Sequence, residues 1–191
     1  MTILAALIAA TLELQADPAH TTATFAVKHL VVTTVRGQFN KADSTLKWDQ
    51  QDPAKSSVEV KIDPASVDTH VEKRDADLKS PNFFDVAKCP DMSFKSTKIE
   101  KAGGDNYKVT GDLTMHCQTH PITLDVNFNP KGIKTPWGST VYAAVATGKL
   151  KRSEWGLTYN KTLEAGGVMV SDDVEIEVDA EYPQKPAEAK K

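Results

Sequence analysis

The chain has 191 residues, 40% of them hydrophobic and 26% charged, which suits one domain able to bury roughly 70% of its unfolded surface. Its 23 basic residues are outweighed by 26 acidic ones, and no basic run stands out, so the charge pattern gives nucleic acid nothing to bind. No apolar run reaches the roughly 18 residues that a membrane-spanning helix needs.

The amino terminus opens with Ile3-Leu4-Ala5-Ala6-Leu7-Ile8-Ala9-Ala10, as long as a short signal-peptide core but with no Lys or Arg before it. Residues 1–11 therefore read as an export-signal remnant, with a short ordered helix or strand as the alternative. Period-two alternation follows. Phe25, Val27 and His29 share one face of a strand, and Val58, Val60 and Ile62 share another with charges opposite. The same pattern returns at Met92–Phe94, Tyr107–Met115, Ile122–Phe128, Tyr142–Leu150 and Val174–Val178. Breakers at Asp52-Pro53, Gly103-Gly104-Asp105-Asn106, Thr119-His120-Pro121, Asn129-Pro130-Lys131-Gly132 and Ala165-Gly166-Gly167 separate the segments.

About eight antiparallel strands at this spacing predict an all-β sandwich or barrel. One helix interrupts them, with Asp68 or Thr69 as its N-cap, Glu72 in its first turn and Ser80-Pro81 at its end. The next residues, Asn82-Phe83-Phe84-Asp85, put two aromatic rings where the helical connection meets the sheet. They read as a plug for one end of the structure or as part of a ligand site. Residues 183–191 carry no large apolar side chain and are expected to form a disordered tail beyond a domain spanning 12–182.

Several chemistries have partial signals. Cys89 and Cys117 form either one disulfide or two free thiols. Met115-His116-Cys117-Gln118-Thr119-His120 gathers transition-metal ligands, although His116 and Cys117 point to opposite faces of a strand. Serines, histidines and aspartates are present without a Gly-x-Ser-x-Gly elbow, so a hydrolase is the weaker rival. Inward-parity positions include the small residues Ala144, Ala146, Gly148 and Gly111, which either leave room for a guest or admit a facing aromatic ring.

Three early motifs, Asp17-Pro18-Ala19-His20, Phe25-Ala26-Val27-Lys28-His29-Leu30 and Val35-Arg36-Gly37-Gln38-Phe39, carry a resemblance. Arg74-Asp75-Ala76-Asp77-Leu78-Lys79-Ser80-Pro81-Asn82-Phe83-Phe84-Asp85, Gly111-Asp112-Leu113-Thr114 and Arg152-Ser153-Glu154-Trp155-Gly156-Leu157 extend it, over roughly residues 12 to 180. Together they resemble the YceI family of lipocalin-like, polyisoprenoid-binding proteins. The resemblance implies an extended eight-stranded antiparallel lipocalin-like barrel with one short helix inserted between strands. It also implies a long apolar channel for an isoprenoid or similar lipid, and export to the periplasm.

On this reading the protein binds, stores or transports the lipid without acting on it and needs no cofactor; a metal-binding or stress-related barrel is the alternative. The expected channel residues are Phe25, Val27, His29, Phe39, Phe83, Phe84, Phe94, Leu113, Met115, Tyr142 and Ala144. A pyrophosphate head group would want a cation from Lys28, Arg36, Arg74 or Arg152, whereas a quinone needs only a donor such as His29 or Tyr142. Whether two barrels pair stays open.

Overall fold

The computed structural model describes residues 11–162 and 168–184, so the expected signal remnant, apart from Thr11, and the tail from Lys185 onward lie outside the described residues. The chain runs β1 (Thr11–Gln15), β2 (Thr21–His29), β3 (Thr33–Phe39), β4 (Ala42–Asp49), β5 (Ser57–Ile62), β6 (Val67–Asp68), α1 (Glu72–Lys79) and β7 (Met92–Gly103). It continues through β8 (Asn106–Met115), β9 (Gln118–Phe128), β10 (Ile133–Lys134), β11 (Thr140–Lys151) and β12 (Val170–Gln184). Strand structure thus reaches slightly past both ends of the expected 12–182 span.

Every strand pair is antiparallel, and the neighbour order is β1-β4-β5-β7-β8-β9-β11-β12-β2-β3-β6, with β10 on β11. The all-β, lipocalin-like expectation holds, but the described residues form twelve strands in place of the expected eight. Two of the extra ones, β6 and β10, are two-residue pairings, and β1, β3 and β4 carry weaker apolar alternation than their neighbours.

The sheet curls until its ends meet. β1 pairs with β4 while β2 pairs with β12, so one nearly continuous stretch of chain bridges the two. At the crossing, the Ala16 N–H donates to Ser44 O and the Asp17 N–H donates to Glu181 O, each at 2.8 Å. A bend is needed there, and Asp-Pro-Ala supplies it. The Asp17 carboxylate accepts from the Ala19 N–H, and Pro18 starts the 3-10 turn where a missing N–H costs nothing. Asp52-Pro53-Ala54 and Asp63-Pro64-Ala65 repeat the same turn elsewhere.

β8 shows how the sequence dictates the wall. Tyr107, Val109, Leu113 and Met115 point inward and are buried, whereas Lys108, Thr110, Asp112 and Thr114 face solvent or its margin. Outward charges pair across strands, as in Lys108–Asp125, Lys95–Glu59 and Lys149–Glu175; such exposed pairs are worth well under ~1 kcal/mol each. Between β9 and β11 the ladder runs only from Thr147↔Asp125 to Ala144↔Phe128, and the remaining halves of these strands diverge.

The segment from β6 to β7 crosses one end of the barrel. α1 ends at Ser80 as expected, but its cap differs: Val71 is the N-cap residue and gives no side-chain bond. Asp68 and Thr69 are otherwise engaged. Asp68 accepts from the His70 N–H, while Thr69 donates to Asp75 through both its N–H and its hydroxyl. Beyond the helix, Phe84 packs edge-on against Phe39 and Phe83 against Tyr159. A disulfide joins Cys89 to Cys117 in the β8–β9 turn, fastening the segment to the far rim.

Among the described residues, six other than glycine adopt left-handed backbone: Leu30, Val31, His70, Asp85, His116 and Cys117. All lie in the β2–β3, β6–β7 or β8–β9 connections, on the end that the Phe83–Phe84 segment crosses. The opposite end makes its left-handed turns with Gly103, Gly104, Gly132 and Gly138.

Closing a loop of 28 residues contributes about 3–4 kcal/mol, so Cys89→Ser or added reductant should lower the melting temperature by on the order of 10 °C. A Cβ at Gly37 would lie 2.4 Å from Phe25 Cζ and 2.7 Å from Thr69 Cγ2, so Gly37→Ala should cost about 1–3 kcal/mol in chemical denaturation.

Candidate functional site

The inward faces of the strands leave a cavity of about 220 Å³ along the barrel, far more than the ~10–15 Å³ one water needs. Apart from Thr24, Ser44 and Arg152, every described lining residue is apolar or aromatic. Period two explains the lining: Val58, Val60 and Ile62 line it from β5, Ile122, Leu124 and Val126 from β9, and Val174, Ile176 and Val178 from β12.

One end has an aromatic floor. Trp48 packs edge-on against Tyr107 at 5.4 Å and Phe128 at 4.7 Å, and Phe128 stacks on Tyr142. Beside it the Ser44 and Tyr182 hydroxyls satisfy each other at 2.7 Å, and burial pushes the Tyr182 phenol's pKa up. The other end holds Phe83, Phe84, Leu157, Val170 and Arg152.

Arg152 is the charged group of this lining and is only 6% exposed. Its Nε donates to Ser171 O at 2.9 Å, Nη1 to Leu157 O and Tyr159 O, and Nη2 to Val170 O at 3.5 Å. These partners are neutral carbonyls. Burial lowers the guanidinium's pKa and the charge of Asp172 opposes that shift, while the Asp172 carboxylate itself accepts from Ser153. The side chain therefore clamps the 152–159 turn to β12 and delivers a positive charge to one end of an apolar cavity. Trp155, fully buried with its indole N–H donating to Leu113 O, anchors the same turn, and Gly156 closes it at φ 73°.

Of the expected channel residues, Phe25, Val27, Phe39, Phe83, Phe84, Phe94, Leu113, Met115 and Ala144 line the cavity. His29 and Tyr142 do not. His29 ends β2 beyond Val27, and Tyr142 lies under the floor behind Phe128. Of the four head-group candidates only Arg152 reaches the cavity. The Lys28 ammonium bonds Thr34 outside, Arg74 is tied to Thr69, and Arg36 lies in a polar groove on the outer face with Glu175 and Lys149. Gly111 admits a facing ring: a Cβ there would sit 2.5 Å from Phe94 Cζ.

The ligand set of the metal-binding alternative is not assembled. Cys117 is in the disulfide, His116 Nδ1 meets Trp155 O at 2.8 Å, and His120 lies edge-on to the Trp155 ring. Among the described residues, no group of three or more His, Cys, Asp or Glu side chains could hold a metal. Missing from the expected site were Trp48, Leu46, Ser44, Tyr182 and Ala146, all cavity-lining. Leu46 and Trp48 share the parity that would have revealed them.

The family model described as YceI-like domain matches residues 14–182. A UPF0312 protein of Staphylococcus aureus strain USA300 is 35% identical over 166 residues, covering 87% of this chain and 94% of the relative. The YCEI protein of Campylobacter jejuni superposes with a TM-score of 0.70 at 30% identity, covering 83% of this chain and 90% of that one. BcnA of Burkholderia cenocepacia shares the fold, with a TM-score of 0.76 at 23% identity over 87% of this chain and 98% of its own. So does a polyisoprenoid binding domain from Saccharophagus degradans implicated in plant cell wall breakdown, with a TM-score of 0.62 at 14% identity over 92% of this chain and 99% of its own.

The carbonyl cluster around Arg152 makes a direct prediction. Arg152→Met leaves buried acceptors without donors and should lower stability by on the order of 3 kcal/mol in urea unfolding, whereas a change at exposed Lys28 should be nearly silent.

Proposed function

The chain belongs to the YceI-like family, and we propose that it carries a long-chain isoprenoid or related amphiphilic lipid in the barrel cavity without acting on it chemically. The observation that carries this reading is the cavity itself, apolar along its length with one buried cation near an end. Each buried CH₂ of a tail contributes about 0.8 kcal/mol, so a few isoprene units offset the entropic cost of association. The polyisoprenoid binding domain from Saccharophagus degradans shares this fold and lends the same support.

The tail lies along the strands towards the Trp48 floor, and the head group sits by Arg152. A head with an anionic or strongly accepting oxygen matches that cation best. The described lining contains no histidine, cysteine or carboxylate, which favours carriage over catalysis. The disulfide fits an oxidising compartment, and the protein is proposed to act after export, in the periplasm or outside the cell.

Organic extraction of purified protein followed by mass identification should find a long-chain lipid at near-stoichiometric amount. Ala146→Trp, which fills the cavity from β11, should lower that occupancy by at least about tenfold. An empty wild-type barrel from a host that makes such lipids would overturn the reading.

A further inference from the structure

We propose that the β2–β3 hairpin tip, Leu30-Val31-Val32, seats this end of the barrel on an anionic lipid bilayer, an inference that rests on the lipid-carrying reading above. The three side chains are 44%, 67% and 79% exposed, in a turn where polar residues are the rule. Leu30 and Val31 hold φ of 53° and 65°, a conformation that asparagine or glycine adopts readily and a β-branched residue resists. The chain accepts strain here to present branched apolar side chains that the fold leaves exposed. That combination needs a partner outside the molecule.

The surroundings say which partner. The Leu30 N–H donates to Met169 O, and Val168, one residue away, is 43% exposed, so the patch spans two chain segments. Lys28 flanks the tip, and Lys161 joins from behind where its carbonyl accepts from the Met169 N–H. Residues 28–34, 157–162 and 168–171 contain these two lysines and no acid; Glu164 stands in the sequence between the last two segments, and Asp172, which follows them, is engaged by Ser153. Branched apolar side chains flanked by two lysines match the acyl boundary and phosphate layer of an anionic leaflet.

The patch is also continuous with the cavity. Val27 and Val170 line it, and the next ladder pair outward is His29↔Val170, at the base of the tip. A barrel seated on Leu30–Val32 thus brings Val27, Val170 and Arg152 to the membrane side, where an amphiphile would arrive tail first. The exposed Trp137 belongs to the β10–β11 turn, beyond the aromatic floor at the opposite end, and serves as a control.

The test is flotation of the purified full-length protein with phosphatidylcholine vesicles, with and without about 30% phosphatidylglycerol. Wild type should float with the anionic vesicles. Leu30→Asn with Val31→Asn and Val32→Ser should cut the bound fraction by at least about tenfold, and Lys28→Gln or Lys161→Gln by about fivefold each. Because asparagine suits the left-handed turn, the melting temperature should hold or rise, which separates lost docking from lost folding. Wild type that stays in buffer with both vesicles overturns the proposal. So does tip-variant protein that floats unchanged, flotation lost through Trp137→Ser instead, or a dimer that only the tip variants dissolve with no vesicle binding. Extracted lipid content is read separately: flotation of a lipid-free wild type would retain the docking surface and remove the carrier reading.

Discussion

The closure of the sheet on itself is the constraint from which the other features descend. An antiparallel sheet left open would expose two rows of unpaired backbone groups, and the bend at Ala16-Asp17 removes that exposure by handing the chain from β4 to β12. Once the sheet is curved, inward side chains must fill a cylinder whose width is set by strand number and stagger. Here they do not fill it. Ala23, Ala144 and Ala146 stop short of the axis, and what remains is apolar because nearly all the inward positions of the strands carry apolar side chains, Ser44 being matched by Tyr182.

The two ends solve different problems. The floor is made of rings held edge-on, and a hydroxyl pair uses up the polar atoms beside it. At the other end, the plug segment, the Arg152 turn and the β2–β3 tip converge, and backbone strain collects in residues that are not glycine. Strain of about 1–3 kcal/mol per residue persists only where surrounding contacts over-determine it, and the disulfide supplies such a contact at Cys117, as the Trp155 carbonyl does at His116.

Much of this was legible in the residues. Alternation in 57–62 and 107–115 fixed both the strand and its inward face, and channel residues chosen by parity mostly line the cavity. The misses have physical causes. β4 hides because Ser44 occupies an inward position, which is tolerable only beside Tyr182, 138 residues away. Asp68 and Thr69 are ideal capping residues by type, yet other local contacts, with His70, Asp75 and Arg74, claim them. Four cations were equivalent in the sequence, since the 3-10 turn that carries Arg152 has no strand parity to say that it points inward. Phe83 and Phe84, expected as a plug or as part of a ligand site, each line the cavity and pack on an aromatic neighbour at its end.

The partial ladder between β9 and β11 has a consequence for how this molecule behaves in a crowd of its own copies. Where the two strands part, β9 keeps β8 on one side and has no β11 ladder on the other, which is an open edge in the middle of a closed sheet. Such an edge is a template for intermolecular strand addition and aggregation. Pro121 lies in that stretch, where a strand can spare a donor, and it interrupts the row that a foreign strand would need. The Trp155 turn covers the rest, held by Leu113 O and by His116, with His120 against its ring. A seam that the ladder leaves half-zipped is thereby closed to other chains.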